Sequence, residues 1–272
     1  MARLVSRLPM ALSRYPVLRA PLRFMHRYAI RARPSMRRHP FDMRHGISAE
    51  GYLPWWLLRS DSEADTENSG YAGCQPSCLR RALSTIPDPS RFVYLDVGCG
   101  KGRSMVVASE LRFRRIVGIE ISAPLARSAR RNAVAIRKRF PERTPIEVME
   151  GDATRAALPP GDLVVFLYHP FGRPLLSRFL SILTESRAGH EMFVVYESPV
   201  EGDLLDAIPG FHRWHAETVH CDADERGCAP IDYETVVTWR WGGDPGARAQ
   251  PGADARIIKV DGRPDLALPN VP

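Results

Sequence analysis

Three carboxylates each stand at or just beyond the end of a short apolar run. They are Asp96, Glu120 and Asp152, and the runs are Val93–Val97, Arg115–Ile121 and Ile146–Glu150. Runs of this kind predict buried parallel strands, whose carboxyl ends meet at one edge of an open sheet. A carboxylate at that edge can hold an ammonium group, accept hydrogen bonds from ribose hydroxyls or accept one from an adenine amine. The spacing therefore predicts a site for an adenosyl ligand with an amino-acid tail.

A glycine-rich turn follows the first of these acids. Glycine fits where the backbone takes a positive φ or approaches a ligand closely, and a helix predicted over Arg103–Leu111 adds free N–H groups. Dehydrogenases prefer a third glycine five residues after the first, but Arg103 stands at that distance from Gly98. The residues that we predict to bind the cofactor are Asp96, Gly98, Cys99, Gly100, Gly102, Glu120, Ile121, Asp152, Ala153 and Tyr168.

The segment Phe92–Pro199 resembles the class I S-adenosylmethionine-dependent methyltransferases. Its LDVGCGKG resembles their first motif, its GIEIS their ribose-binding acid and its EGDA their adenine-binding acid. Roughly residues 41–215 resemble more closely a bacterial family of mostly unassigned substrate. The matching segments are GCQPSCLRRAL at 73–83, GKGR at 100–103, the NPF-like YHPFG at 168–172 and YESP at 196–199. The resemblance implies S-adenosyl-L-methionine as the cofactor and methyl transfer as the activity.

The segment YHPFG is predicted to follow the fourth strand, Asp162–Tyr168, beside the transferred methyl group. It resembles the NPPY-type segments of amine methyltransferases, which hold an N–H acceptor over an aromatic face. His169 would then be the polar group, Pro170 the rigid turn beside the substrate, and Tyr168 or Phe171 the aromatic wall. A histidine also removes a proton near neutral pH. The alternative is a histidine that is bonded only within its own loop.

Two further residues are candidates for contact with the acceptor or the cofactor. Glu197, at the end of the fifth strand, is predicted to bind a cationic acceptor or to act as a base, and a surface or N-cap role is the alternative. Gln75 is predicted to contact the acceptor or the carboxylate of the cofactor, with a turn that caps the next helix as the alternative. At positions 169 and 197 the family that the chain resembles more commonly has asparagine. The cysteine spacings at 74–78 and 221–228 fit no usual structural zinc pair, so we predict no metal.

The other segments complete an α/β pattern. Further helices are predicted over Cys78–Ile86, residues 123–140 and Leu175–Arg187, a fifth strand over Met192–Tyr196, and an antiparallel closing pair over Phe211–His220 and Tyr233–Trp241. We expect a doubly wound α/β fold with a mostly parallel sheet of seven strands. The methyltransferase domain should cover 92–241, after an N-terminal extension over 41–91 and before a mobile tail over 242–272.

The charge of the chain is concentrated at its start. Residues 1–41 contain ten arginines and no acid, so their net charge is +10. Since the whole chain has a net charge of +7, the remaining residues sum to −3. We expect residues 1–40 to form a basic arm, interrupted by prolines, with one short amphipathic helix over Leu22–Arg33. Its predicted partner is an anionic surface such as lipid head groups or RNA. A transit peptide and a solvated, disordered arm are the alternatives.

The composition excludes a transmembrane protein, because no apolar run reaches the eighteen or so residues that span a bilayer. Five cysteines, an odd number, favour a reducing compartment, so we expect a cytoplasmic protein that binds peripherally to an anionic surface. The predicted function is methyl transfer from S-adenosyl-L-methionine to a protein, an RNA or a small amine, with a nitrogen acceptor favoured. The alternative is a non-catalytic or dinucleotide-binding Rossmann-like protein that acts through its basic arm.

Overall fold

The structure is a computed structural model that describes residues 38–54, 58, 70–185, 189–229 and 232–242, with the backbone of 257–258 and 266–267. The strands are β1 (Tyr52–Leu53), β2 (Tyr71–Ala72), β3 (Val93–Val97), β4 (Arg115–Glu120), β5 (Ile146–Glu150), β6 (Leu163–Tyr168), β7 (Met192–Glu197), β8 (Phe211–His220), β9 (Tyr233–Trp241), β10 (Ile257–Ile258) and β11 (Leu266–Ala267). The α-helices are α1 (Pro40–His45), α2 (Pro76–Leu83), α3 (Arg103–Ala108), α4 (Ala123–Arg139), α5 (Arg173–Glu185) and α6 (Asp203–Asp206).

Seven strands form a central sheet in the order β5-β4-β3-β6-β7-β9-β8. The first five strands of that order pair in parallel, whereas β9 runs antiparallel to β7 and β8 antiparallel to β9. The predicted fold class, a doubly wound and mostly parallel sheet of seven strands, is therefore confirmed. The parallel order also brings the carboxyl ends of β3, β4, β5 and β6 to one edge, where the site is expected.

The central strands are apolar along their whole length because helices cover both faces of the sheet. One face packs against α2, α3 and α4, with Leu79, Met105 and Ile136 in its core. The other face packs against α5 and α6, with Phe179 and Leu205 in its core. All five residues of β3 are buried, as expected for the centre of a parallel sheet.

Several helix and strand ends differ from the predicted ones by a few residues. Helix α2 starts at Pro76 rather than Cys78, because Gln75 has the extended backbone of an N-cap and a proline fits the first helical position. Helix α3 ends at Ala108, three residues early, and β7 continues to Glu197. The closing strands β8 and β9 have the predicted bounds.

The N-terminal extension packs on the sheet through α1 and α2. Phe41 of α1 is fully buried in the same core as Tyr94 of β3. The predicted helix over Leu22–Arg33, like most of the basic arm, lies outside the described residues. In the predicted tail, the described backbone forms a two-residue antiparallel pairing of β10 with β11, which the sequence did not predict. None of the helices in the described ranges has both the length and the apolar character to span a bilayer.

Candidate active site

A cavity of about 510 Å³ opens at the carboxyl ends of β3, β4, β5 and β6. Its volume lies in the range of about 300–1,000 Å³ that is usual for small-molecule sites. Ten of the residues predicted to form the site line this cavity: Gly98, Gly100, Glu120, Ile121, Asp152, Ala153, Tyr168, His169, Pro170 and Phe171. The structure thus brings most of the predicted site together at the predicted edge of the sheet.

Glu120, the last residue of β4, joins the glycine turn to the start of α4. Its Oε2 accepts a hydrogen bond of 2.7 Å from the Gly100 N–H, and its Oε1 accepts one of 2.8 Å from the Ser122 N–H. Burial raises the pKa of this carboxyl, and the backbone hydrogen bonds oppose that shift. Each carboxylate oxygen has a second lone pair, so Glu120 can still accept from the hydroxyls of a ribose in the cavity.

Asp152 follows β5 and lines the same cavity as Glu120. Its Oδ1 accepts hydrogen bonds of 2.8 Å from both the N–H and the hydroxyl of Thr154. The local turn therefore fixes the side chain in one orientation. The apolar neighbours Ile121 and Ala153 lie beside the two acids in the cavity lining. An adenine ring requires small apolar groups of this kind to pack against.

The glycine turn takes left-handed backbone angles, and its glycines are needed for different reasons. Gly100 has φ +56°, and a Cβ added there would lie 2.4 Å from the ring of Tyr71. A side chain at position 100 would therefore collide with the N-terminal extension. Gly102 is the N-cap of α3, and a Cβ added there would meet Met105 of α3 at 3.0 Å and Ala129 of α4 at 3.5 Å.

The YHPF segment turns sharply after β6. His169 has φ +41° and Ser198, at the end of the neighbouring β7, has φ +52°, and both line the cavity. A left-handed backbone in residues other than glycine costs about 1–3 kcal/mol and is often found at functional sites. The Nδ1 atom of His169 lies 3.3 Å from the Tyr196 hydroxyl, which orients the ring.

Tyr168 links the cavity to a buried group of acids. Its hydroxyl donates a 2.8 Å hydrogen bond to Oε1 of Glu234, and burial raises the pKa of that acid to about 7. Glu197 lies beside Tyr168 in the sheet register, and its side chain has no exposure to solvent. Its Oε1 accepts a 3.3 Å hydrogen bond from the Gln75 N–H, and its Oε2 has no hydrogen-bond partner among the described residues. Burial raises the pKa of Glu197 well above its usual range, and the nearby Glu234 carboxyl adds to that shift.

Five residues of the predicted set lie outside the cavity: Asp96, Cys99, Gly102, Gln75 and Glu197. Asp96 is buried and accepts a hydrogen bond from the Ser104 hydroxyl, and burial raises its pKa to about 7. Gln75 places its amide oxygen 3.4 Å from the ring of His39. The thiol of Cys99 is turned towards Gly118 of β4, behind the glycine turn.

The N-terminal extension contributes cavity residues that the sequence did not reveal. Tyr52 and Tyr71, in the two-residue strands β1 and β2, line the cavity together with Ala72. Strands this short have no periodicity to detect. Arg103, for which the sequence predicted no partner, forms a buried ion pair with Asp42 of α1.

Residues 95–169 match the family model described as "Methyltransferase domain". The match runs from β3 to His169, so it includes the glycine turn, Glu120 and Asp152. The chain therefore contains a methyltransferase domain, built on the sheet order given above, and its cofactor is S-adenosyl-L-methionine. Methyl transfer and the predicted cofactor are confirmed, whereas the nitrogen acceptor stays a prediction. No curated protein sequence matches the chain.

Solved structures similar to the chain are distant in sequence. An RNA methyltransferase from Salinibacter ruber, in complex with S-adenosyl-L-homocysteine, is 22% identical with a TM-score of 0.40, and the alignment covers 61% of this chain and 91% of that one. Magnesium protoporphyrin IX methyltransferase from Synechocystis PCC 6803, with bound SAM, is 18% identical with a TM-score of 0.42 and coverages of 60% and 76%. A SAM-dependent methyltransferase from Aquifex aeolicus is 14% identical with a TM-score of 0.43 and coverages of 60% and 89%. Similarity at this level says nothing about the acceptor.

Proposed function

We propose that the chain transfers the methyl group of S-adenosyl-L-methionine to a nitrogen acceptor held against the Tyr168–Phe171 segment. The observation that carries the proposal is that Glu120, Asp152 and His169 line one cavity. When bound, the cofactor would supply an electrophilic methyl group on its sulfur. The protein must therefore bind the adenosyl end at one side of the cavity and the acceptor at the other.

The sheet order supports a direction for the cofactor in this cavity. Asp152 follows β5 and Glu120 ends β4, so both lie on the β5 side of the glycine turn, which follows β3. We assign the adenine to the side of Asp152 and Ala153 and the ribose hydroxyls to Glu120. Gly98 and Gly100, after β3, would then hold the amino-acid end, and the residues at the end of β6 would adjoin the methyl group that the cofactor supplies. This last position adjoins the YHPF segment, which also lies close to Gly98 through Pro170.

The residues that follow β6 suit an amine acceptor. The ring of His169 lines the cavity and is oriented by Tyr196, so it suits a role in hydrogen-bonding the N–H group of an amine or in removing its proton. Tyr168 and Phe171 present aromatic walls to the cavity, and Pro170 holds the turn between them. An aromatic wall favours an amine that arrives without its hydration shell, as a nucleophile must. Glu197 accepts a hydrogen bond from the Gln75 N–H and neither residue lines the cavity, so we assign them no contact with the acceptor.

The acceptor class can be found by following the methyl group. The full chain is incubated with methyl-labelled cofactor and fractionated cell extract, and the label is traced to protein, RNA or small molecules. Hydrolysis of the labelled fraction and chromatography of the products then identify the methylated atom. We expect an N-methyl product, reduced strongly in Glu120→Ala and His169→Ala. Label on oxygen or sulfur, with the cofactor still bound, would overturn the nitrogen assignment.

A further inference from the structure

The outer side of the glycine turn is covered by two segments of the N-terminal extension. We call these segments, residues 42–50 and 70–73, the N-terminal clamp. Tyr71 is only 6% exposed, and its ring lies against Gly100, in the place that a Cβ would occupy. Its hydroxyl donates a hydrogen bond to the carbonyl of Ala49, so the two segments of the clamp hold each other in place.

The polar side chains of the turn bind the clamp. The Lys101 ammonium donates a 2.6 Å hydrogen bond to the carbonyl of Glu50 and lies 5.0 Å from the centre of the Tyr71 ring. Asn132 of α4 donates to the carbonyls of both Ser48 and Lys101, at 3.2 and 2.9 Å. The turn is therefore fixed from outside by the clamp and from inside by Glu120.

The clamp also reaches into the cavity. Ala72 follows Tyr71, is exposed, and lines the cavity together with Gly98 and Gly100. This end of the cavity lies at β3, whereas Asp152 lies at β5, two strands away in the sheet. A nucleoside held by Glu120 and Asp152 would point its 5′ substituent towards Tyr71 and Ala72.

We propose that the N-terminal clamp closes the amino-acid end of the cofactor site, with Tyr71 as the residue that positions this end and Ala72 as its border. The inference rests on the proposed placement of the cofactor and is independent of the acceptor. The ring of Tyr71 shields the turn from water on its outer side, so the backbone of Gly98 and Gly100 is preorganised for the amino-acid tail. The clamp is thus part of the binding site as well as of the fold.

Two ligands that differ only beyond the nucleoside test this inference. S-adenosyl-L-homocysteine has the amino-acid end, and 5′-methylthioadenosine keeps the nucleoside and lacks that end. Calorimetric titration of the full chain measures the affinity for each. For Tyr71→Ala we expect the affinity for S-adenosyl-L-homocysteine to fall about tenfold or more and that for 5′-methylthioadenosine to change less than about threefold. Tyr71→Phe keeps the ring and should bind both ligands nearly as wild type does.

A second variant tests the inference even if Tyr71→Ala does not fold. Ala72→Leu removes no buried contact but fills the same end of the cavity, so it should also weaken only the ligand with the amino-acid tail. Tyr233→Ala, the same change as at position 71 but on an exposed residue at the start of β9, should alter neither affinity. Equal weakening of both ligands in Tyr71→Ala and Ala72→Leu, or no weakening in either variant, would overturn the inference. A wild-type protein that binds neither ligand would instead overturn the cofactor site itself.

Discussion

Arg103 and Asp42 form a two-pronged ion pair that solvent hardly reaches. Nε and Nη2 of the guanidinium donate hydrogen bonds of 2.9 Å to Oδ1 and Oδ2 of the carboxylate, and the side chains are 5% and 0% exposed. The third nitrogen, Nη1, donates to the carbonyl of Cys74, and Oδ2 of Asp42 also accepts from the Ala49 N–H. Since Arg103 begins α3 directly after the glycine turn, this pair fixes the N-terminal extension to the cofactor site.

We predict that Asp42→Asn lowers the free energy of unfolding by about 3–5 kcal/mol, because it leaves the Arg103 charge buried without its partner. Urea unfolding followed by circular dichroism measures the change. Glu147→Gln is the matched control, since Glu147 pairs with Arg115 at a similar distance but with half-exposed side chains. That change should cost less than about 1 kcal/mol. Equal losses in the two variants would show that burial of the Arg103 pair is not what matters.

We predict that Gly100→Ala is destabilising chiefly because of Tyr71. A left-handed alanine alone costs about 1–2 kcal/mol, and the collision of its Cβ with the ring adds about 1–3 kcal/mol. Gly189→Ala is the control for the backbone term, since Gly189 has φ +76° and no atom within 4 Å of an added Cβ. In a Tyr71→Ala background, Gly100→Ala should cost no more than Gly189→Ala does. A double-mutant cycle by urea unfolding measures this, and a coupling near zero would contradict the collision.

The positions of the acids along the chain could be predicted, but the face of the sheet that each occupies could not. An apolar run that ends in an acid indicates the end of a strand, and this placed Glu120 and Asp152 at one cavity. Asp96 has the same pattern, yet its side chain points to the face covered by α3, where it accepts a hydrogen bond from the Ser104 hydroxyl. Sequence alone carries no signal for that difference, because β3 is buried on both faces.

Contacts between distant parts of the chain were equally out of reach. Asp42 and Arg103 are 61 residues apart, and neither lies in a periodic pattern that pairs it with the other. The two-residue strands that carry Tyr52 and Tyr71 are also too short for a pattern. By contrast, β8 and β9 alternate over nine or ten residues, and their bounds were predicted correctly.

We predict that Asp96 makes the protein less stable as the pH rises. Burial raises the folded-state pKa of this acid to about 7, whereas an unfolded aspartate titrates near 3.9. Between about pH 4 and pH 7 the folded state therefore keeps a proton that the unfolded state has lost. The resulting stabilisation is fully present below about pH 4 and falls by about 1.4 kcal/mol per pH unit until it is lost through pH 7.

Urea unfolding of wild type and Asp96→Asn from pH 4 to pH 8 tests this sign. The stability of wild type relative to the variant should fall steadily from pH 4 to about pH 7 and then level off, because asparagine does not titrate. Other buried acids, Glu197 and Glu234, drop out of the comparison since both proteins contain them. Glu142→Gln, a change of an exposed acid, should leave the pH dependence of wild type unaltered. A difference in the free energy of unfolding between wild type and Asp96→Asn that stays constant with pH would contradict a raised pKa of Asp96.

We predict that two N-terminal truncations separate cofactor binding from the charge of the arm. Removal of residues 1–37 takes away nine of the ten arginines but no part of the N-terminal clamp, so the affinity for S-adenosyl-L-homocysteine should stay within about twofold. Removal of residues 1–50 also deletes Asp42, Ala49 and the Glu50 carbonyl that binds Lys101, so this affinity should be lost. Binding to RNA or to anionic vesicles should weaken already in the shorter truncation, with a smaller dependence on salt, because fewer cations meet the anionic surface. Loss of cofactor binding on removal of residues 1–37 would place part of the arm in the cofactor site.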